Sequence, residues 1–108
     1  MEHIVYKIND NSIENLKLLG FQHMGDGIYS YKFPVYKYNN IITIYGFFIA
    51  NNENNEIQID VRTDFGNLYA PYYRANNNNQ VVKIIKKNIS KEMQEMGIKK
   101  YLRKYKNK

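Results

Sequence analysis

Ten cationic side chains crowd the last quarter of this 108-residue chain, and they carry its clearest chemistry. Lys83 to Lys108 holds ten basic residues against Glu92 and Glu95, a balance of +8, while residues 1–82 balance at −2. The final ten residues, Lys99 to Lys108, carry six Lys or Arg and no acid, within a net charge of +6. A near-neutral body ending in a cationic arm points to an anionic partner, either nucleic acid or an acidic protein. Lys83, Lys86, Lys87 and Lys91 fall on the polar side of a helical pattern, and Lys99, Lys100, Arg103 and Lys104 follow. All eight could contact phosphates. Tyr101 and Tyr105 interleave with them and could stack on bases. Lys83 would oppose the dipole at a helix N-terminus, so helix stability does not account for it. Only Arg62, Arg74 and Arg103 supply guanidinium groups. Bidentate base reading is thus poorly provided for, and binding without sequence specificity is expected. The competing reading is a solvated helix face with a basic tail. Asn, Ile, Lys and Tyr make up half the residues and all have AT-rich codons, so part of the lysine surplus is compositional.

Groups that could do catalysis are sparse. Asp60, Arg62 and Asp64 cluster around the end of a strand-like segment, with Asp26 and Glu56 elsewhere. A metal-dependent nuclease needs acidic ligands held together. Asp60 and Arg62, two apart on a strand, more simply form an ion pair, and Asp64 suits a turn ahead of Gly66. His3 and His23 lack the spaced partners of a zinc site. The chain has no Cys, which excludes disulfides and thiolate metal sites. It also lacks a Gly-rich phosphate loop and a nucleophile elbow. No catalytic or metal site, no cofactor and no enzymatic activity are therefore expected. Tyr69-Ala70-Pro71-Tyr72-Tyr73-Arg74 reads either as a recognition loop or as a lid packed over a sheet edge.

The elements that must position these groups follow from periodicity. Ile4 to Ile8 suggests a short first strand. Asp10, Asn11 and Ser12 offer N-caps for a helix over about 12–19, Asn11 and Glu14 resembling a capping box. Phe21 to Met24 and Ile28 to Tyr38 flank Gly25-Asp26-Gly27 as a hairpin. Tyr29, Tyr31, Phe33 and Val35 share one face, and Pro34 demands an edge or a bulge. Ile41 to Ala50 is apolar on both faces, with Ile41, Tyr45, Phe47 and Ile49 on one and Ile42, Ile44 and Phe48 on the other. Glu56 to Thr63 alternates, with Ile57, Ile59 and Val61 inward. A short strand at Leu68 to Ala70 is expected to end at Pro71. Val82, Ile85, Ile89, Met93 and Met96 mark an amphipathic helix over about 80–96, capped by Asn79 and ended by Gly97. Ile98, Tyr101, Leu102 and Tyr105 repeat helical spacing and suggest a short tail helix.

These elements predict an α+β fold of two layers. An antiparallel sheet of three to five strands would pack against a short N-terminal and a long C-terminal helix. One domain over 1–98 with a basic tail over 99–108 is expected. A two-layer fold leaves one sheet face uncovered, and the two-sided pattern of Ile41 to Ala50 makes that face a candidate surface for a protein partner or a homodimer. The aromatic residues Tyr29, Tyr31, Phe33, Tyr45 and Phe47 also invite comparison with single-strand-binding sheets, although ordinary core filling explains them. No segment is long and apolar enough to span a bilayer, and Met1 to Ile8 has no hydrophobic signal core. No membrane partner and a cytoplasmic location are expected.

The helix–strands–helix order resembles the double-stranded-RNA-binding domain. That family's Lys-Lys-x-Ala-Lys cluster is replaced here by Val81-Val82-Lys83-Ile84-Ile85-Lys86-Lys87, so no residue roles carry over. Leu16-Lys17-Leu18-Leu19-Gly20-Phe21, Tyr31-Lys32-Phe33-Pro34-Val35-Tyr36 and Gly66-Asn67-Leu68-Tyr69-Ala70-Pro71-Tyr72-Tyr73 resemble segments of small uncharacterised phage and mobile-element proteins of low-GC Gram-positive bacteria. The resemblance implies a genomic context and no mechanism.

Overall fold

The computed structural model describes residues 5–8, 13–74 and 79–104. The candidate caps Asp10, Asn11 and Ser12 lie outside them. In chain order the elements are β1 (Val5–Ile8), α1 (Ile13–Leu18), β2 (Gln22–Gly25), β3 (Ile28–Tyr38), β4 (Ile42–Asn51) and β5 (Glu56–Thr63). A 3-10 turn (Ala70–Tyr73), α2 (Gln80–Glu95), a second 3-10 turn (Ile98–Tyr101) and β6 (Leu102–Lys104) complete the chain. The sheet runs β2-β3-β4-β5-β1-β6, and neighbouring strands are antiparallel. The expected antiparallel sheet is present as the four continuous strands β2 to β5. β1 and β6, of four and three residues, extend it to six.

Turn chemistry sets this register. Asp26-Gly27 and Asn39-Asn40 join β2 to β3 and β3 to β4, all four residues at positive φ. Those are the mirror-image turns whose twist matches that of paired strands. In the β4–β5 loop the side chains of Asn51 and Asn54 accept from the amides of Glu53 and Glu56, at 2.9 and 3.2 Å. Pro34 falls inside β3, where it can donate no ladder bond, and the register shifts between Pro34 and Tyr36. The shift leaves Val35 without a partner on β4, and the Asn88 amide of α2 donates to its carbonyl at 2.8 Å.

Both helices pack on one sheet face. Leu16 of α1 and Val82, Ile85, Ile89 and Met93 of α2 join Phe33, Val35, Ile44, Phe48, Ile57, Ile59 and Val61 in one buried core. The helical phase read from the sequence is therefore the one adopted. Gly46 lies under this contact. A Cβ there would sit 2.7 Å from the Phe33 ring and 3.0 Å from a Val35 methyl.

Two segments differ from expectation. Leu68 makes a single bridge to Arg62, not a strand over Leu68 to Ala70. Pro71 instead occupies the start of the 3-10 turn, where its fixed φ is favourable. Secondly, among the described residues the expected tail helix gives way to a 3-10 turn over Ile98–Tyr101 and a strand over Leu102–Lys104. Gly97, at φ 73°, turns the chain after α2, Ile98 is buried, and Leu102–Lys104 pairs with β1. The free edge of β1 offers unpaired backbone groups, which outweigh a weak local helical spacing.

Candidate nucleic-acid interface

Asn79 starts the cationic surface by fixing where α2 begins. Its side-chain oxygen accepts from the amides of Val81 and Val82 at 2.8 and 3.4 Å. With the start fixed and Val82, Ile85, Ile89 and Met93 turned to the sheet, Lys83, Lys86, Lys87 and Lys91 are all exposed. Lys91 pairs with Glu95 at 3.8 Å, both side chains well solvated, so the pair contributes little. Among the described residues no acid lies within ion-pair distance of Lys83, Lys86 or Lys87. The charges run against the helix dipole: no acid occupies the first turn, no base the last, and Glu92 and Glu95 stand near the C-terminal end.

Lys99 is exposed in the 3-10 turn after α2. Lys100 and Tyr101 lie on that turn, and Arg103 and Lys104 on β6, opposite Lys7 and Tyr6. The side chains of these four are outside the described residues, as is the whole of Tyr105. The backbone thus carries the cationic segment from the end of α2 to the β1 edge of the sheet.

The acidic residues are engaged otherwise. Asp60 is buried, accepting from Gln58 Nε2 at 2.7 Å and from Arg62 Nη2 at 3.1 Å. Asp64 Oδ2 accepts from the Thr43 amide at 2.7 Å and ties the start of β4 to the loop after β5. His23 stacks on Tyr29 with ring centroids 4.8 Å apart. Among the described residues no three His, Asp or Glu side chains form a group able to hold a metal. No described helix is long and apolar enough to cross a membrane.

The tyrosine segment after β5 is a lid. Tyr72 and Tyr73 are buried, the Val61 amide donates to the Tyr73 hydroxyl at 2.9 Å, and the Tyr69 amide donates to the Val61 carbonyl at 2.8 Å. These bonds satisfy the edge of β5 beyond the end of β1. Burial, with neighbouring phenols, pushes the Tyr72 hydroxyl up to about 12. Burial and a hydroxyl contact with Tyr38 do the same for Tyr69.

One surface was only half legible. Tyr29, Tyr31 and Phe33 lie on the helix-covered face, whereas Tyr45 and Phe47 lie on the other. There Tyr45, Phe47 and Ile49 stand apart from the core and remain half-buried. Lys32 Nζ sits 4.1 Å from the Tyr45 ring centroid and 5.9 Å from that of Phe47. A groove of about 300 Å³ lies beside them, lined by Gln22, Met24, Ser30, Lys32 and Phe47. A second, of about 140 Å³, is lined by Ile28, Ile49, Asn51 and Gln58. Sequence alone showed that β4 was apolar on both sides, but not which side the helices take.

No family model, characterised protein or solved structure matches this chain significantly.

Proposed function

We propose that the protein binds nucleic acid without sequence specificity, through the lysine face of α2 and the cationic segment that follows it. The supporting observation is the exposure of Lys83, Lys86, Lys87 and Lys91 on one helix face, with Lys91 alone ion-paired among the described residues. Lysine ammoniums act as hydrated point charges that displace counterions from phosphates, so affinity comes from charge and not from base identity. The expected dissociation constant is about 10⁻⁴–10⁻⁶ M at physiological salt. A polarisation titration of the full chain against single- and double-stranded DNA and RNA tests this. Binding to all four that K83Q/K86Q/K87Q/K91Q weakens supports the reading, and absence of binding at low salt refutes it. Those substitutions leave the sheet alone, whereas truncation at residue 99 would remove β6.

The second reading, a protein-interaction module, rests on the half-buried Tyr45, Phe47 and Ile49 of the helix-free sheet face.

A further inference from the structure

We propose that the open end of the helix-covered sheet face is a stacking shelf for unpaired bases, so that the protein prefers single-stranded nucleic acid, DNA or RNA, to duplex. The proposal rests on the lysine-face reading and adds what this surface does with the bases. Tyr36 and Tyr38 of β3 pair with Ile44 and Ile42 of β4, which puts both rings on the face that the helices cover. Their ring centroids lie 4.9 Å apart in an edge-to-face arrangement. The Tyr38 hydroxyl meets that of Tyr69 at 2.9 Å. Three phenols from two segments are thereby held in place.

α2 stops short of covering them. Its Glu92 accepts from the Tyr31 hydroxyl and its Asn88 donates to the Val35 carbonyl, so the helix runs opposite to β3. One turn nearer its N-terminus, Ile84 reaches the end where Tyr36 and Tyr38 stand. Tyr38, Ile42, Leu68 and Ile84 are between 37 and 42 % exposed. Lys87 and Lys91 lie three residues on from Ile84 and Asn88, on the solvent side of the same ridge, and both are exposed. Arg74, also exposed, lies within electrostatic reach of the Tyr69 hydroxyl.

Charge favours a polyanion here. The described segments around this end are 34–46, 61–74 and 79–91. They hold Lys37, Arg62, Arg74 and the four α2 lysines against a single acid, Asp64. That carboxylate accepts from the Thr43 amide. Thr43 pairs with Lys37, a row whose side chains alternate to the face opposite the tyrosines. Tyrosine rings beside ammonium groups suit a strand whose phosphates follow the lysines and whose bases turn onto the rings. Bases inside a duplex have both faces covered by their neighbours, and unpaired bases do not. Every base has a π face, so the preference is for strandedness and not for sequence.

Polarisation titrations of the full chain with labelled dT and rU oligomers, and with a duplex of equal length at the same salt, test the proposal. Wild type should bind the single strands more tightly. Y38A removes a ring from an exposed position and should weaken single-strand binding by about 5-fold or more, with duplex binding unchanged. Y38F keeps the ring, loses the hydroxyl contact with Tyr69, and should bind as wild type does. A Y38A variant that holds single strands as well as wild type, or that loses single strand and duplex alike, overturns the proposal. Photocross-linking of wild type to an oligomer carrying 5-iodouracil gives a readout independent of variant stability. The adduct should fall on Tyr36, Tyr38 or Tyr69, and adducts confined to other residues overturn the shelf. A chain that binds both substrates without preference overturns the shelf and keeps the lysine-face reading, whereas a chain that binds neither overturns both.

Discussion

Gly46 shows how one position joins the two layers. Its missing side chain lets the Phe33 ring and Val35 close on β4, and Phe33 in turn meets Phe48 at 4.7 Å between ring centroids. G46A should destabilise by about 1–3 kcal/mol through overpacking, read as a lower denaturation midpoint at unchanged slope. Tyr31 shows the same junction in polar form. Its hydroxyl donates to Glu92 of α2 at 2.7 Å, and this bond, aided by partial burial, raises the phenol from 10.0 to about 12. A phenol raised in the folded state favours folding at pH values below its unfolded value. That contribution is complete below about pH 10 and is lost as pH rises through about 12. Stability should therefore fall across this window, and Y31F should fall less steeply than wild type, as measured by denaturant melts at about pH 9 and pH 12. The abundant asparagines gain a partial explanation at this scale. Asn39, Asn40, Asn51, Asn54 and Asn79 each hold a turn or a cap, so composition alone does not account for them.

At the scale of elements, what was legible in the sequence was whatever depends on local period. The 3- and 4-residue steps from Val82 to Met93 place α2 in its observed phase. The alternation of Ile57, Ile59 and Val61 gives the inward face of β5. Asn79 was readable as a cap for the same reason, and N79A should cost about 1 kcal/mol in thermal or chemical unfolding. The segments that misled are those decided at long range. Leu102–Lys104 is a strand because β1 presents a free edge, a fact that no window around Leu102 contains. Pro71 was expected to end a strand that does not form, and the 3-10 turn it occupies is held by Val61, ten residues earlier. The lysine face was legible because it is the complement of α2's apolar stripe. The uncovered aromatic face was not, because Ile44 and Phe48 on one side of β4 look no different in sequence from Tyr45 and Phe47 on the other.

One side of the molecule carries the α2 lysines, the other a helix-free sheet face with Tyr45, Phe47 and Ile49 along β4, and the cationic segment runs from the end of α2 to the β1 edge. The central claim is that the first of these surfaces binds phosphates. The slope of log binding constant against log salt, for wild type and for K83Q/K86Q/K87Q/K91Q on the same duplex, tests it most directly. Each lost phosphate contact lowers the slope by about 0.9, so the variant's slope should be shallower by about 3 to 4. Equal slopes for the two proteins would contradict the account.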